Sequence, residues 1–368
     1  MVKYIYIYME EIACTMDSGA NACVFNDDLT YECGARDSSK NYKTKIIDKE
    51  TGEREIEKMK LIDEIMINKN TNNKYYIGNP IVCEDNNVLK DKCKKCMTSI
   101  KDCNHIMVID YENGGLSLDQ FIKKNNDYTN LLQGFLNIFE AVTSLNEENI
   151  YHSDIKPQNI VVNDHFQCRL IDMGDSQIYE NISDINIFAS CGTIPYFPLE
   201  KAPYYGYYFE KKNILSDILT FKDDEWRITI GKNREIKHQS YYSKLKKNDK
   251  QLGLSKCDVW ALGVTLYYIY DAMKKDVFAD MLLDVISQLL VLDIENRPSA
   301  NTALSIYKEF LEQISKSIKS SSANKSGGAN KSGCANKSGG KRMTRKVNRR
   351  KTYKRRKTYK KRKTYKKL

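Results

Sequence analysis

No stretch of the 368-residue chain is apolar for the roughly 20 residues that a membrane-spanning helix requires. The longest apolar run, Val259 to Tyr270, has the length of a buried core helix. An export signal is missing too: after Met1, the apolar residues from Tyr4 to Met9 run straight into Glu10 and Glu11, too short and too acidic for a signal peptide. The 11 cysteines therefore read as reduced thiols or metal ligands rather than disulfides, and the compartment as intracellular. A second C-x-x-C is absent; the single one, Cys93 to Cys96, falls between Cys83 and Cys103. Finally, residues 316–368 contain no acid, although they hold 22 of the 59 Lys and Arg. That leaves 37 basic against 48 acidic side chains elsewhere, an acidic body with a basic tail attached. The body gives no reason to expect nucleic-acid binding, and any attraction to polyanions belongs to the tail.

What is present is enough apolar residue, 41% of the chain, for a globular body of about 300 residues. Its most informative stretch is residues 151–174, YHSDIKPQNIVVNDHFQCRLIDMG. A polar loop with one carboxylate, one lysine and one amide (Asp154, Lys156, Asn159) precedes an apolar hairpin pattern and a second carboxylate, Asp172. This spacing suits phosphoryl transfer: one acid accepts a proton from the attacking hydroxyl, while an amide and the other acid hold magnesium against the phosphates.

The stretch resembles the catalytic loop and metal-binding motif of eukaryotic-type Ser/Thr protein kinases, H-R-D-x-K-x-x-N and D-F-G, with Ser153 in place of arginine and Met173 in place of phenylalanine. Further anchors agree. Cys191 to Glu200 is similar to the kinase pattern G-T-x-x-Y-x-x-P-E, Asp258-Val259-Trp260 opens a D-x-W-x-x-G helix, and Arg297 lies about a hundred residues beyond Glu200. The resemblance implies an α+β, bilobal protein-kinase fold with a small β-rich N-lobe (1–112), a larger α-helical C-lobe (113–315) and a disordered basic C-terminal tail (316–368). It implies ATP and Mg2+ as cofactors and protein hydroxyls as substrates. Asp154 would orient and deprotonate the acceptor, Lys156 would neutralise the transferred group, and Asn159 and Asp172 would hold the metal. His152 would support the loop, Thr193 would bond Asp154 and Lys156, Asp258 would brace the loop's backbone, and Glu200 would pair with Arg297. With Ser153 in place of the arginine, a phosphate on residues 175–195 loses its usual partner, so activity is expected not to require it. Met173 fills the apolar slot of the phenylalanine.

In the N-lobe, strand patterns at 3–8 and 11–16 lead to a turn-prone DSGANA, in which only Gly19 of the family's three loop glycines is kept; Val24 would pack on adenine. Lys45 is chosen as the phosphate lysine over Lys43, which shares its strand face, and Glu55 on the helix that follows as its partner. Backbone groups at Asp110 and Glu112 would bind the adenine edge, with Ile109 limiting pocket depth. Residues 83–105 form a cysteine-rich insertion, in which Cys83, Cys93, Cys96 and Cys103 are either ligands of a structural Zn2+ or ordinary free thiols. In the C-lobe, helices are expected at Leu118–Lys123 and Tyr128–Glu147. Residues 203–254 are an insertion, with a strand-like WRITIG, where peptide substrates dock in the family. From Ala323 the tail repeats ANKSGG-type hexamers, a flexible linker, and from Arg350 it repeats RKTYKR, RKTYKK and RKTYKK. Such a tail should bind nucleic acid or other polyanions in a salt-sensitive way. With the Asn-, Lys-, Ile- and Tyr-rich usage, it resembles proteins of giant DNA viruses, which would put the chain in host cytoplasm, nucleus or virion. The readings from other classes are a catalytically silent kinase-like scaffold and a nucleic-acid-associated protein acting through its tail.

Overall fold

A computed structural model of the chain describes residues 16–18, 22–25, 36–37, 39–83, 103, 105–179, 193, 196, 219–222, 225–230, 234–238 and 250–326. Five strands, β1 (Met16–Ser18), β2 (Ala22–Phe25), β3 (Tyr42–Asp48), β4 (Ile81–Cys83) and β5 (Ile106–Glu112), form one antiparallel sheet in the order β1-β2-β3-β5-β4. Alternation along β3 divides its side chains between two apolar layers. Ile46 joins Cys23, Cys83, Ile106 and Val108 on one face, and Ile47 joins Ala22, Ile109 and Ile56 on the other. Lys45 lies on the second face, in register with Val24 of β2 and Ile109 of β5. Asp17 and Ser18, read from the sequence as turn residues, are instead in β1, because the register carries pairing through Ser18↔Cys23. The strand expected at 3–8, and Gly19, lie outside the described residues.

Helix α1 (Lys49–Ile65) starts directly after β3, where the Asp48 side chain accepts the Thr51 N–H at 3.3 Å. A Cβ at Gly52 would stand 2.8 Å from Ile47 Cγ2 and 2.9 Å from Met107 Sδ. Glycine therefore lets the first turn press on the sheet, which fixes Glu55 one turn later over Lys45.

The larger lobe runs through β6 (Leu116–Ser117), α2 (Leu118–Lys124), α3 (Tyr128–Glu147), β7 (Ile150–Tyr151), β8 (Ile160–Val162), β9 (Cys168–Leu170) and β10 (Gln177–Ile178). β6, β8 and β9 pair in one small sheet and β7 with β10 in another. The helix expected over Tyr128–Glu147 is α3, and Leu131, Phe135, Ile138, Phe139, Val142 and Leu145 are its buried face. In the 203–254 insertion, β11 (Leu219–Lys222), β12 (Glu225–Ile230) and β13 (Arg234–His238) make an antiparallel meander, so WRITIG belongs to a sheet. Helices α4 (Lys250–Ala272), α5 (Ala279–Leu289) and α6 (Ala300–Ser326) complete the lobe. Tyr307 of α6 stacks on Phe139 of α3 at 4.2 Å between ring centres and donates its hydroxyl to the Leu132 carbonyl at 2.7 Å.

The tail expected to be disordered from Lys316 is helical at its start, since α6 continues through Ser326. Glu312 and Lys316 lie 3.8 Å apart at i,i+4, and the Ser315 and Ser317 hydroxyls are satisfied within the helix by the Leu311 and Gln313 carbonyls at 2.9 Å. Residues 1–319 form one unit and 320–368 a second. No helix among the described residues is long and apolar enough to cross a membrane.

The cysteines depart from expectation. Cys168 is a free, buried thiol and Cys257 is buried, but Cys23, Cys83 and Cys103 are disulfide-bonded rather than reduced. Cys83 and Cys103 do meet at one apolar cluster. Among the described residues no group of three His, Cys, Asp or Glu could hold a metal ion, and Cys93 and Cys96 lie outside them. A Zn2+ on Cys83, Cys93, Cys96 and Cys103 therefore gains no support: a disulfide sulfur is not the thiolate zinc requires.

Candidate active site

The loop after β7 is held from below by one carboxylate. Asp258 in α4 accepts the His152 N–H at Oδ2 and the Ser153 N–H at Oδ1, each at 3.0 Å. Ser153 has φ of 67°, a left-handed conformation that costs roughly 1 kcal/mol or more in a residue with a Cβ. The charge-assisted bonds from Asp258 offset that cost. His152 accepts the Asp154 N–H at Nδ1 (3.3 Å), which puts its proton on Nε2, 3.2 Å from the Ile171 carbonyl. Its ring thus ties the loop to the segment that carries Asp172, the supporting role expected of it.

Asp154 stands at the end of this loop with its carboxylate fixed by four donors. Oδ1 accepts the Thr193 N–H at 3.0 Å and the Thr193 hydroxyl at 2.8 Å; Oδ2 accepts Lys156 Nζ at 2.6 Å and Asn159 Nδ2 at 2.9 Å. Lys156 also donates to Thr193 Oγ1 at 2.8 Å. Asp154, Lys156, Asn159 and Thr193 are therefore one constellation, drawn from two segments about forty residues apart.

Across the cleft, Lys45 Nζ donates to both Glu55 oxygens, at 2.8 and 2.7 Å, and to Asp172 Oδ1 at 3.1 Å. Lys43 donates instead to the Gly115 carbonyl at 2.9 Å, which places Lys45 and not Lys43 at the site. Burial works against the Lys45 ammonium, but Asp172 and Glu55 outweigh it and hold it above the ordinary lysine value. Burial likewise pushes the Asp172 carboxyl up, and the Lys45 ammonium more than reverses this, so Asp172 sits below the ordinary carboxylate range. Asp172 takes a left-handed φ of 62° and leaves its side chain 45% exposed, open to the cleft. The next residue, Met173, is buried in the main core with Met59, Ile62 and Tyr76, in the apolar slot expected of it.

Sequence reading missed several partners. The Tyr111 hydroxyl donates to Glu55 Oε1 at 2.7 Å, and Lys58 Nζ donates to the Gly174 carbonyl. The signal for Tyr111 was available: positions 109 and 111 of β5 share a face with Lys45. Burial, then the Glu55 carboxylate, raises the Tyr111 phenol well above its usual value, so it stays a donor. The Asp110 side chain is fully buried, accepting Arg36 Nε at 2.7 Å and the Thr44 hydroxyl at 2.6 Å, with Cys83 Sγ 3.3 Å away. Glu112 accepts from Lys40 at 2.8 Å and Asn73 at 3.2 Å. Nothing in the polar 27–41 stretch singled out Arg36. Val24 is half-buried on the Lys45 face of the sheet. Glu200 lies outside the described residues; Arg297 is buried over the Trp260 ring, 5.0 Å from its centre, and donates to the Val291, Lys256 and Leu292 carbonyls.

The donor set fits a hard cation and a polyphosphate. Asn159 uses its amide nitrogen on Asp154, which leaves the amide oxygen for a metal; Asp172 offers a carboxylate oxygen in the open cleft, and Lys45 a cation.

The family model described as protein kinase domain matches residues 18–212, more than half of the chain. The chain belongs to the protein kinase family. It is 29% identical over 94 residues to serine/threonine-protein kinase chk-1 of Caenorhabditis briggsae, a match covering 25% of this chain and 19% of that protein. The chain thus spans about a fifth of the length of the relative it matches. In this kinase the sheet with α1 is the N-terminal lobe and the helices after β6 the C-terminal lobe; such domains use ATP and Mg2+. Asp175, three residues after Asp172, completes the acidic cleft of the kinase, its carboxyl pushed up by burial and then by Asp154 and Asp172.

Proposed function

We propose that the chain is a protein serine/threonine kinase that transfers the γ-phosphoryl group of ATP to protein hydroxyls and needs no activation-loop phosphate. The observation that carries this reading is the fixed Asp154 carboxylate, bonded by Thr193, Lys156 and Asn159, together with the Lys45–Glu55–Asp172 group, both of which act on Asp175. Asp154 accepts the proton of the incoming Ser or Thr hydroxyl, and its bonds hold it where that oxygen must arrive. Lys156, already on Asp154, neutralises charge on the transferred group. Lys45 anchors the α- and β-phosphates, with Glu55 and Tyr111 keeping its ammonium in place. Asn159 and Asp172 would hold Mg2+, which supplies charge neutralisation between the phosphates when bound. Most of the rate comes from such prearranged electrostatics.

Independence from a loop phosphate rests on Ser153. The side chain at that position is a small buried hydroxyl with no charge for a phosphate, and the loop is braced by Asp258 instead. Phosphatase treatment of purified protein should leave activity intact; its abolition would reject this part of the reading. The silent-scaffold alternative has less in its favour, because a residue without catalytic work has no need of four donors.

The test is transfer from radiolabelled ATP to a generic protein substrate. Asp154→Asn should reduce kcat about 1,000-fold, the scale of a general acid–base contribution, with nucleotide binding kept. Equal transfer by wild type and Asp154→Asn would remove the assignment. The basic tail is read separately as the polyanion-binding segment; loss of residues 327–368 should abolish salt-sensitive retention on DNA.

A further inference from the structure

One face of α1 addresses the whole segment that follows β9. Glu55, Lys58, Met59 and Ile62 recur along it at helical spacing. Glu55 holds Lys45, which in turn bonds Asp172 Oδ1 at 3.1 Å. Met59 and Ile62 lie in the core cluster that takes in Met173. Lys58, half-buried on the same face, donates its Nζ to the Gly174 carbonyl. Three consecutive residues, Asp172, Met173 and Gly174, are thus engaged through a carboxylate, an apolar side chain and a backbone oxygen in turn.

Of these, only the Lys58 bond acts on the backbone itself. Asp172 has φ of 62°, a left-handed conformation that a residue with a Cβ keeps only where its surroundings over-determine it. Its side chain is 45% exposed, and the pair with Lys45 can follow a turning carboxylate, so that contact does not fix the main chain. Gly174, two residues on, resists rotation least of all residue types, and it is there that a charge-assisted bond is made. The segment also passes close under the helix, since a Cβ at Gly174 would stand 3.4 Å from Glu55 Oε2. The turn then closes with the buried Ser176, whose N–H donates to the Met173 carbonyl at 3.0 Å. We infer that Lys58 is a positioning residue: by holding the Gly174 carbonyl, its ammonium fixes the backbone that aims Asp172 into the cleft. The inference rests on the kinase reading above for the role of Asp172. It names what keeps that residue in place from within the fold, where Ser153 offers no charge to an activation-loop phosphate.

The full chain is compared as wild type, Lys58→Met, Lys58→Arg and, at an exposed position of the same helix, Lys60→Met. In metal-free protein, hydrogen exchange at the Ser176 amide should be about tenfold faster in Lys58→Met, the scale of one lost charge-assisted bond. The Ile171 amide, bonded to the Asn159 carbonyl at 3.0 Å, should be unchanged. In transfer assays the Mg2+ concentration for half-maximal rate should rise about tenfold and kcat should fall, with the KM for protein substrate unmoved. Lys58→Arg, which keeps a charged donor, should recover most of both, and Lys60→Met should match the wild type. Unmoved Ser176 exchange and an unmoved Mg2+ requirement in Lys58→Met overturn this inference alone. So does equal acceleration at Ile171 and Ser176, which would mean that the whole lobe loosens, and so does Lys58→Arg as impaired as Lys58→Met. A wild type that transfers phosphate to no protein, while Ser176 exchange still responds to Lys58→Met, overturns the kinase reading and upholds the placement of the segment by Lys58.

Discussion

The two sides of the cleft are built differently. On the catalytic-loop side, Asp154 takes donors from Lys156 and Asn159, two and five residues away, and from Thr193 alone at longer range. On the nucleotide side, Lys45, Glu55, Tyr111 and Asp172 come from β3, α1, β5 and the loop after β9; Lys45 and Glu55 are ten residues apart, but the bonds from Tyr111 and to Asp172 join distant segments. The first arrangement is nearly local and survives small movements of the lobes. The second exists only while α1 and Asp172 are both in place, so it is where a change elsewhere in the protein would be felt.

The sharpest way to break this contrast is at the ion pair. Lys45→Met strands Glu55, which is buried and keeps among the described residues only the Tyr111 hydroxyl, and should cost about 3 kcal/mol of stability in urea unfolding besides abolishing transfer. Thr193→Val, by comparison, removes one of four donors to Asp154 and should lower kcat about tenfold with little change in unfolding midpoint. Equal losses of stability for the two variants would erase the distinction between the sides. Tyr111→Phe removes a single hydrogen bond to Glu55 and keeps the ring. It should raise the KM for ATP severalfold, the effect of about 1 kcal/mol, with kcat less affected. An equal fall in kcat at constant KM would place the hydroxyl's role outside the nucleotide side.

The same contrast explains what could be read in advance. Asp154, Lys156, Asn159 and Asp172 lie within nineteen residues, so chain spacing alone nearly specifies their geometry. Thr193 and Asp258 were reachable because the motif dictates their partners. Lys45 and Glu55 followed from the family resemblance, Lys45 because Lys45-Ile46-Ile47 copies the family's strand pattern, and the bond of Lys43 to the Gly115 carbonyl separates the two lysines that share a strand face. Tyr111 was overlooked because attention went to the backbone at Asp110 and Glu112, although strand alternation already put Tyr111 beside Lys45. Arg36 had no such signal: a lone cation in a polar loop becomes informative only once Asp110 is found buried beneath it. The disulfides at Cys23, Cys83 and Cys103 were misjudged because compartment, not proximity, guided the reading.

The smallest expected effect sharpens the electrostatics between the two sides. Asp175 has a raised carboxyl, through burial first and then through Asp154 and Asp172. A carboxylate raised in the folded state is a net cost wherever it is ionised, and protonation on falling pH through its folded value relieves that cost. Asp172, lowered below its ordinary 3.8, does the opposite: its contribution is present above that value and fades as pH falls through the folded one. In metal-free protein, Asp175→Asn should therefore raise the melting temperature slightly at pH 7, with the gain vanishing below about pH 4, where the wild-type side chain is protonated in both states. A gain that persisted at pH 3 would mean that the amide improves packing rather than relieving repulsion. Addition of Mg2+ should shrink the gain at pH 7, since a cation at Asn159 and Asp172 would screen the same charge.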